Sequence, residues 1–361
     1  MRVETHLPLG KVDPGLRTAA QHLDVAAVPA SAREVEALGF DGLVLTETKE
    51  DPYVVMALAA AATERIQLTT AVAMAFPRSP TVTAMTAWTV QRASRGRFVL
   101  GLGTQVKGHV ERRYGLTWSA PAPWLEEYIA AVRAVWDCWQ NGTPLDFHGQ
   151  HYHLTLMNPL FDPGPIEHPA IPIHTAGVNA GMARVAGRVA DGFRPHPICT
   201  RTYLTDVLVP AVHGAATGAG RDPAGIEICA SPLIVAAADE RTLAARRADV
   251  RARIAFYGST RTYRRVFETH DWGDVAEQLS SLSRAQRWDE MERLVTDEMV
   301  ETIAVVATYD ALADSIRERY ADICSKVEFS IPVANPDDAS LLGEMVRRIQ
   351  APLGADAARP A

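Results

Sequence analysis

Cysteine is scarce and scattered. Cys138, Cys199, Cys229 and Cys324 are the four thiols in 361 residues, and no CxxC occurs. That excludes a disulfide framework and a thiolate zinc motif, and fits reduced thiols in a cytoplasmic protein. Long apolar runs are also missing. No stretch of about 18 apolar residues appears, and the N-terminus has no signal-peptide layout, so no membrane association is expected. Positive charge is in deficit: 36 Lys and Arg against 43 Asp and Glu leave a net charge of −7. General nucleic-acid or membrane-surface binding is therefore not expected. Several catalytic signatures are absent as well, among them HExxH, GxSxG and GxxxxGK[ST]. His148, His151 and His153 cluster, but without the Cys or carboxylate spacing of a zinc site. They read as surface hairpin histidines, and no metal is expected.

What is present is the material for a large core: 47% hydrophobic residues with 22% charged. Apolar strand-like runs alternate with helical patterns along the chain. The strand-like runs are 1–6, 43–45, 66–72, 98–100, 171–175, 191–193, 226–235 and 301–306. Helical periods are expected over 14–38 with a break near Pro29, from Pro52, from Pro80 to Arg92, and over 124–140, 182–190, 200–219, 239–257 and 309–320. A small hairpin is expected around His148 and His153, and short helical pieces over 258–295 read as an insertion near a barrel mouth. Eight alternating units predict an α/β fold, a (β/α)8 TIM barrel with insertions. An open doubly wound sheet is the alternative, and no GxGxxG follows the first strand to support it. Residues 1–350 are expected to form one domain, with an Ala/Pro-rich disordered tail over 351–361.

In a barrel the chemistry lies at the C-terminal ends of the strands. That position selects His6, Glu47 with Thr48, Thr70 with Ala71, and Thr104 with Gln105 and His109. It also selects His174 with Thr175, and Arg194 with His196. The stretch Gly101-Leu102-Gly103-Thr104 ends a strand with glycines, which suits either a plain turn or the close approach of a flat ligand. After Thr175 the chain reads Ala176-Gly177-Val178-Asn179-Ala180-Gly181 and then turns helical. Small residues before a helix N-terminus expose backbone N–H groups at the positive end of the helix dipole, which is a phosphate cradle. An ordinary tight loop is the other reading. Proton transfer could fall to His6, Glu47 or His109.

Six stretches carry a resemblance: GFDGLVLTE, IQLTTAVAMAFPRSP, RGRFVLGLGTQVKGHVERRYG, WLEEYIAAVRAVW, IPIHTAGVNAGMARVAGRVADGF and ETIAVVATYDALADSIRERY. In this order they resemble the bacterial luciferase-like monooxygenase superfamily, and within it the coenzyme F420-dependent oxidoreductases. The resemblance implies a barrel, usually a homodimer, that binds a deazaflavin or flavin at the strand C-terminal ends. It implies an acidic strand-two residue at Glu47 and a non-prolyl cis peptide at Thr70-Ala71 forming a bulge behind the ring. It also implies cofactor contacts from Thr104 and His109, and phosphate contacts from Ala176, Gly177, Val178, Asn179, Ala180 and Gly181. Sugar-phosphate dehydrogenases of this branch carry a catalytic His after the strand-two acid and a Glu after strand four. Here those positions hold Thr48 and Val106, so a sugar-phosphate substrate is not expected. The implied activity is hydride transfer between F420 C5 and a small organic molecule, with an F420-reducing enzyme supplying reduced cofactor. The alternative is an FMN-dependent monooxygenase using O2 and a flavin reductase, and the second a barrel that binds flavin without turnover.

Overall fold

The computed structural model describes residues 1–10 and 22–352. Eight parallel strands close a barrel: β1 (Arg2–His6), β2 (Gly42–Leu45), β3 (Gln67–Thr70), β4 (Phe98–Gly103), β5 (Ile173–Gly177), β6 (Gly192–Pro195), β7 (Glu227–Ala230) and β8 (Lys326–Glu328). Each pairs with the next, and β8 returns to β1 in the register Arg2↔Lys326, Val3↔Val327 and Glu4↔Glu328. The α/β barrel expected from the alternation is therefore the fold.

Strand alternation divides the side chains between two environments. Val3, Leu43, Leu68, Phe98, Leu100, Ile173, Phe193, Ile228 and Val327 are buried in the core that includes the surrounding helices. The other set meets inside the barrel. Arg194 on β6 bonds Glu4 on β1, and Lys326 on β8 donates to Gln67 on β3. Neither pair lies on adjacent strands, so both contacts cross the lumen.

Helix starts follow the capping residues. Asp51 accepts from the Tyr53 N–H at 2.8 Å ahead of Pro52–Ala62, and Ser79 caps Pro80–Ala93. Pro29 opens the helix Val28–Ala37 rather than breaking one, because a proline in the first turn loses no intrahelical bond. The earlier part of the helix expected from residue 14 falls at 11–21, outside the described residues, as does most of the tail expected at 351–361.

The last two strands differ from the sequence expectation. The run at 226–235 splits into β7 and a separate strand, Ile234–Ala237. That strand pairs in parallel with Val305–Thr308, outside the barrel. The segment 301–306, expected as the eighth barrel strand, is instead the end of the helix Asp297–Ile303 and the start of that side strand. The eighth barrel strand is Lys326–Glu328, followed by the helix Pro336–Gln350. Its inward residues are a Lys and a Glu, so no apolar run marks it. The hairpin forms as two short antiparallel pieces, Phe147–His148 and His153–Leu154. The 258–295 insertion is a set of short helices.

Gly214 lies in the interior of the helix Val209–Gly218, exposed, and an added Cβ there would meet nothing within 4 Å. Gly214→Ala is expected to stabilise the protein by about 0.5–1 kcal/mol, since glycine loses more backbone entropy on helix formation. Chemical denaturation checks this; an unchanged or lower midpoint would contradict it.

Candidate active site at the barrel mouth

The C-terminal ends of the strands gather His6, Thr46 with Glu47, the end of β3, Thr104, the loop after Gly177, and His196 around one rim. The β3 end is the most unusual. After Thr70 the chain bulges through Ala71 and Val72 before the short strand Ala73–Met74 pairs with β4. The cis peptide joins Ala71 to Val72, one bond later than the Thr70-Ala71 position implied by the resemblance. The shift follows from how Thr70 is held: its hydroxyl donates to the Gly101 carbonyl and accepts from the Gly101 N–H, both at 2.8 Å. Thr70 is thereby fixed to β4, and the bulge begins after it.

Gly101 and Gly103 make room for this bulge. A Cβ at Gly101 would overlap the Thr70 carbonyl oxygen, and one at Gly103 would lie 2.5 Å from Val72 Cγ2. The Gly-Leu-Gly run therefore lets the neighbouring strand approach.

Glu47 braces the bulge from the other side. Its carboxylate accepts from the Met74 N–H at 2.7 Å and from Arg78 at 2.8 Å, and Arg78 also reaches Asp51 at 2.9 Å. Thr46 donates to the Ala71 carbonyl at 2.7 Å. Glu47 is thus held by a guanidinium and a backbone donor, which suits it to shaping the rim more than to moving protons. Thr104 is half-buried at the end of β4. His109 is exposed on the helix Lys107–Arg112.

The Ala176–Gly181 segment forms the end of β5 and the first turn of the helix Ala180–Val189. Asn179 is the N-cap, its side chain accepting from the Met182 N–H at 3.0 Å. The leading N–H groups, those of Ala180 and Gly181, have no intrahelical partner by the geometry of a helix start. A Cβ at Gly177 would overlap Met182 Cβ, so strand and helix pass in close contact here.

His6 and Glu328 meet where β1 and β8 end. The Nε2 of His6 lies 2.7 Å from Glu328 Oε1, and Ser231 Oγ donates to Glu328 Oε2 at 3.0 Å. Burial would push the Glu328 carboxyl up, but His6 and Arg194 hold it below the usual carboxylate range. Sequence reading missed Glu328 and Ser231, because the strand that presents Glu328 was not recognised. Across the mouth, His196 sits edge-on to Tyr257 with ring centroids 4.6 Å apart and tilted against Tyr263 at 4.5 Å. Burial, then Arg253, lowers the His196 pKa to about 4, so the ring is neutral at pH 7.

His174 and Arg194, selected by position, belong to the lumen below the mouth. Arg194 pairs with Glu4 at 2.6 Å, both buried. His174 Nε2 lies 3.2 Å from Glu227 Oε2, and Lys326 Nζ lies 2.7 Å from the same oxygen. His174, Glu227 and Cys229 are the one grouping of metal-ligand type among the described residues. Lys326 already neutralises the Glu227 carboxylate, and burial pushes the Cys229 thiol up to about 12. His148 bonds Asp146 at 2.8 Å and His151 stacks on Trp124, so the hairpin histidines are held by neighbours. No helix among the described residues is long and apolar enough to cross a membrane.

The rim, bulge and open helix terminus can be set beside known proteins. An uncharacterized protein of Mycobacterium tuberculosis is 39% identical over 303 residues, covering 84% of this chain and 89% of the relative. A second M. tuberculosis protein, provisionally named a coenzyme F420-dependent oxidoreductase, is 29% identical over 318 residues, covering 82% and 86%. The F420-dependent tetrahydromethanopterin reductase of Methanopyrus kandleri superposes with a TM-score of 0.74 at 20% identity, covering 96% of this chain and 98% of that one. The family model of luciferase-like monooxygenases matches residues 6–325. With that match and the 39% identity, the chain belongs to the luciferase-like monooxygenase family.

Proposed function

We propose that this protein is a coenzyme F420-dependent oxidoreductase that moves a hydride between the deazaflavin C5 and a small organic substrate. The observation that carries the reading is the pairing, on one rim, of the 70–72 bulge with the open helix terminus at Ala180 and Gly181. The donor set fits such a group: small residues and free N–H directions suit a phosphate, and a braced backbone wall suits a flat ring. The relative named for F420 favours the deazaflavin. When bound, the cofactor supplies the hydride chemistry, and the protein contributes binding, orientation and proton handling.

In this reading Ala176, Gly177, Val178, Ala180 and Gly181 hold the phosphate, with Asn179 serving as the cap. Thr70 and Ala71 carry the wall behind the ring, Glu47 and Thr46 brace it, and Thr104 with His109 touches the cofactor. His6 is the proton-handling group at the mouth. A homodimer belongs to the same reading, and the exposed Val82 and Met85, one turn apart on the helix Pro80–Ala93, offer an apolar face for it. Sedimentation would check this; a monomer at micromolar concentration would reject it. The family's monooxygenases support FMN with O2 and a flavin reductase as the second reading.

Titration of the purified protein with F420 and with FMN, followed by absorbance and fluorescence, separates the readings. Binding of neither would overturn both, and F420 binding without hydride transfer to any substrate would favour a non-catalytic barrel.

Ala180→Asp tests the phosphate loop. A carboxylate in the first turn favours the helix dipole by about 0.3–1 kcal/mol, so folding should be unharmed. The same charge should repel the cofactor phosphate and raise its Kd roughly tenfold or more, a decade being about 1.4 kcal/mol. This site is a cleaner probe than Gly177, where any Cβ disturbs Met182 packing. Unchanged cofactor affinity would place the phosphate elsewhere.

A further inference from the structure

His6 lies on the first barrel strand and Glu328 on the last, with 2.7 Å between Nε2 and Oε1. The second carboxylate oxygen is occupied by Ser231, from the loop after β7, at 3.0 Å. The groups facing Glu328 are thus His6 from β1, Ser231 after β7 and, through its field, Arg194 from β6. All favour the ionised carboxylate. An ionised carboxylate can only accept, so at 2.7 Å the Nε2 atom must carry the hydrogen. A second ring nitrogen, Nδ1, then holds the lone pair in the neutral imidazole. The ring is 20% exposed, whereas Glu4, two residues earlier on the same strand, is closed off in the lumen.

We propose that Glu328, held by Ser231, is the positioning residue that locks His6 in the Nε2–H tautomer and so presents Nδ1 for proton exchange with a substrate oxygen at the barrel mouth. The proposal rests on the oxidoreductase reading above. It narrows the substrate class to a ketone or secondary alcohol, whose oxygen must gain or lose a proton as the carbon gains or loses hydride. In the reducing direction a bound reduced deazaflavin would supply the hydride for the new C–H bond, and the carbonyl oxygen, left with the π pair, would need a proton. The proton on Nδ1 of the His6 imidazolium then forms the O–H bond and leaves neutral imidazole. In the other direction neutral Nδ1 takes the alcohol proton. Glu328 stays ionised throughout.

The test begins without cofactor. The 15N spectrum of histidine-labelled protein, with His6→Gln identifying the His6 signals, reports which nitrogen carries hydrogen when the ring is neutral. The expected wild-type pattern is a single Nε2–H tautomer. Glu328→Ala should give a mixture of tautomers. With F420 and a panel of short ketones, kcat should fall by roughly 10–100-fold, while KM and the F420 Kd stay within about twofold. Ser231→Ala should move the tautomer ratio in the same direction and stands in if Glu328→Ala does not fold. A mixed or Nδ1–H tautomer in the wild type would overturn the proposal, as would full kcat in folded Glu328→Ala. A mere latch between the first and last strands would lower stability and leave kcat per folded molecule unchanged. Absence of F420 and FMN binding with the tautomer intact would instead reject the oxidoreductase reading.

Discussion

Arg194→Met should destabilise this protein by about 3–5 kcal/mol, the usual cost of leaving one member of a buried ion pair behind. Arg194 and Glu4 are 5% and 1% exposed and meet across the lumen at 2.6 Å. Without the guanidinium, Glu4 is left with the more distant Lys326 at 3.7 Å, and Glu328 loses a favourable field. Domains commonly have about 5–15 kcal/mol in total, so the variant should melt far below the wild type. Glu4→Gln together with Arg194→Met should recover much of the loss, because no buried charge is then uncompensated. A loss under about 1 kcal/mol from Arg194→Met alone would mean that the lumen is wet and the pair screened.

The same network sets the acid limit. Burial pushes the Glu4 pKa up, yet Arg194 and Lys326 carry it below its ordinary 4.5. Glu227 is likewise lowered against burial, by His174 and Lys326. A depressed carboxylate contributes stability that is present above the unfolded pKa and is lost as pH falls through the folded one. His174 works in the same direction: burial lowers its pKa below 6.5, so the unfolded chain takes up its proton first as pH falls. Stability should therefore decline progressively below about pH 6.5 and more steeply below about pH 4.5, where the carboxylates join. In Arg194→Met with Glu4→Gln, the lower part of that decline should be shallower.

Gly101→Ala is the second large effect. The added methyl would overlap the Thr70 carbonyl oxygen, which is backbone and cannot rotate away. Thr70 is also tied to Gly101 by two 2.8 Å hydrogen bonds, so β3 and β4 cannot simply part. Overpacking in a tight core typically costs about 1–3 kcal/mol. Here the strain has one outlet, the 70–72 bulge, and that bulge is the proposed wall behind the cofactor ring. Cofactor affinity should drop at least tenfold even in molecules that remain folded. Gly214→Ala serves as the control, an added methyl with room around it. If Gly101→Ala bound F420 or FMN with unchanged affinity, the bulge would not touch the ring.

Much of this molecule could be read without coordinates. The alternation of apolar strands with periodic helices determined the barrel, because burial on both faces of a parallel sheet leaves apolar runs that are visible in sequence. Capping by Asp51, Ser79 and Asn179, with Pro52 and Pro80, determined where several helices begin. The positions facing the mouth at His6, Glu47 and Thr104 followed from strand ends alone. Other features were decided only by tertiary structure. Lys326 and Glu328 make a poor strand by composition, and they sit in one because Glu4, Glu227 and His6 reach them from other strands. The role of Gly101 depends on the carbonyl of Thr70, 31 residues earlier. His174 and Arg194 stand at strand ends in the sequence but are spent in the lumen, His174 on a polar contact with Glu227 and Arg194 on an ion pair with Glu4. Local pattern reports which face of a segment is apolar; it does not report which distant charge a polar residue will meet when eight strands close on one axis.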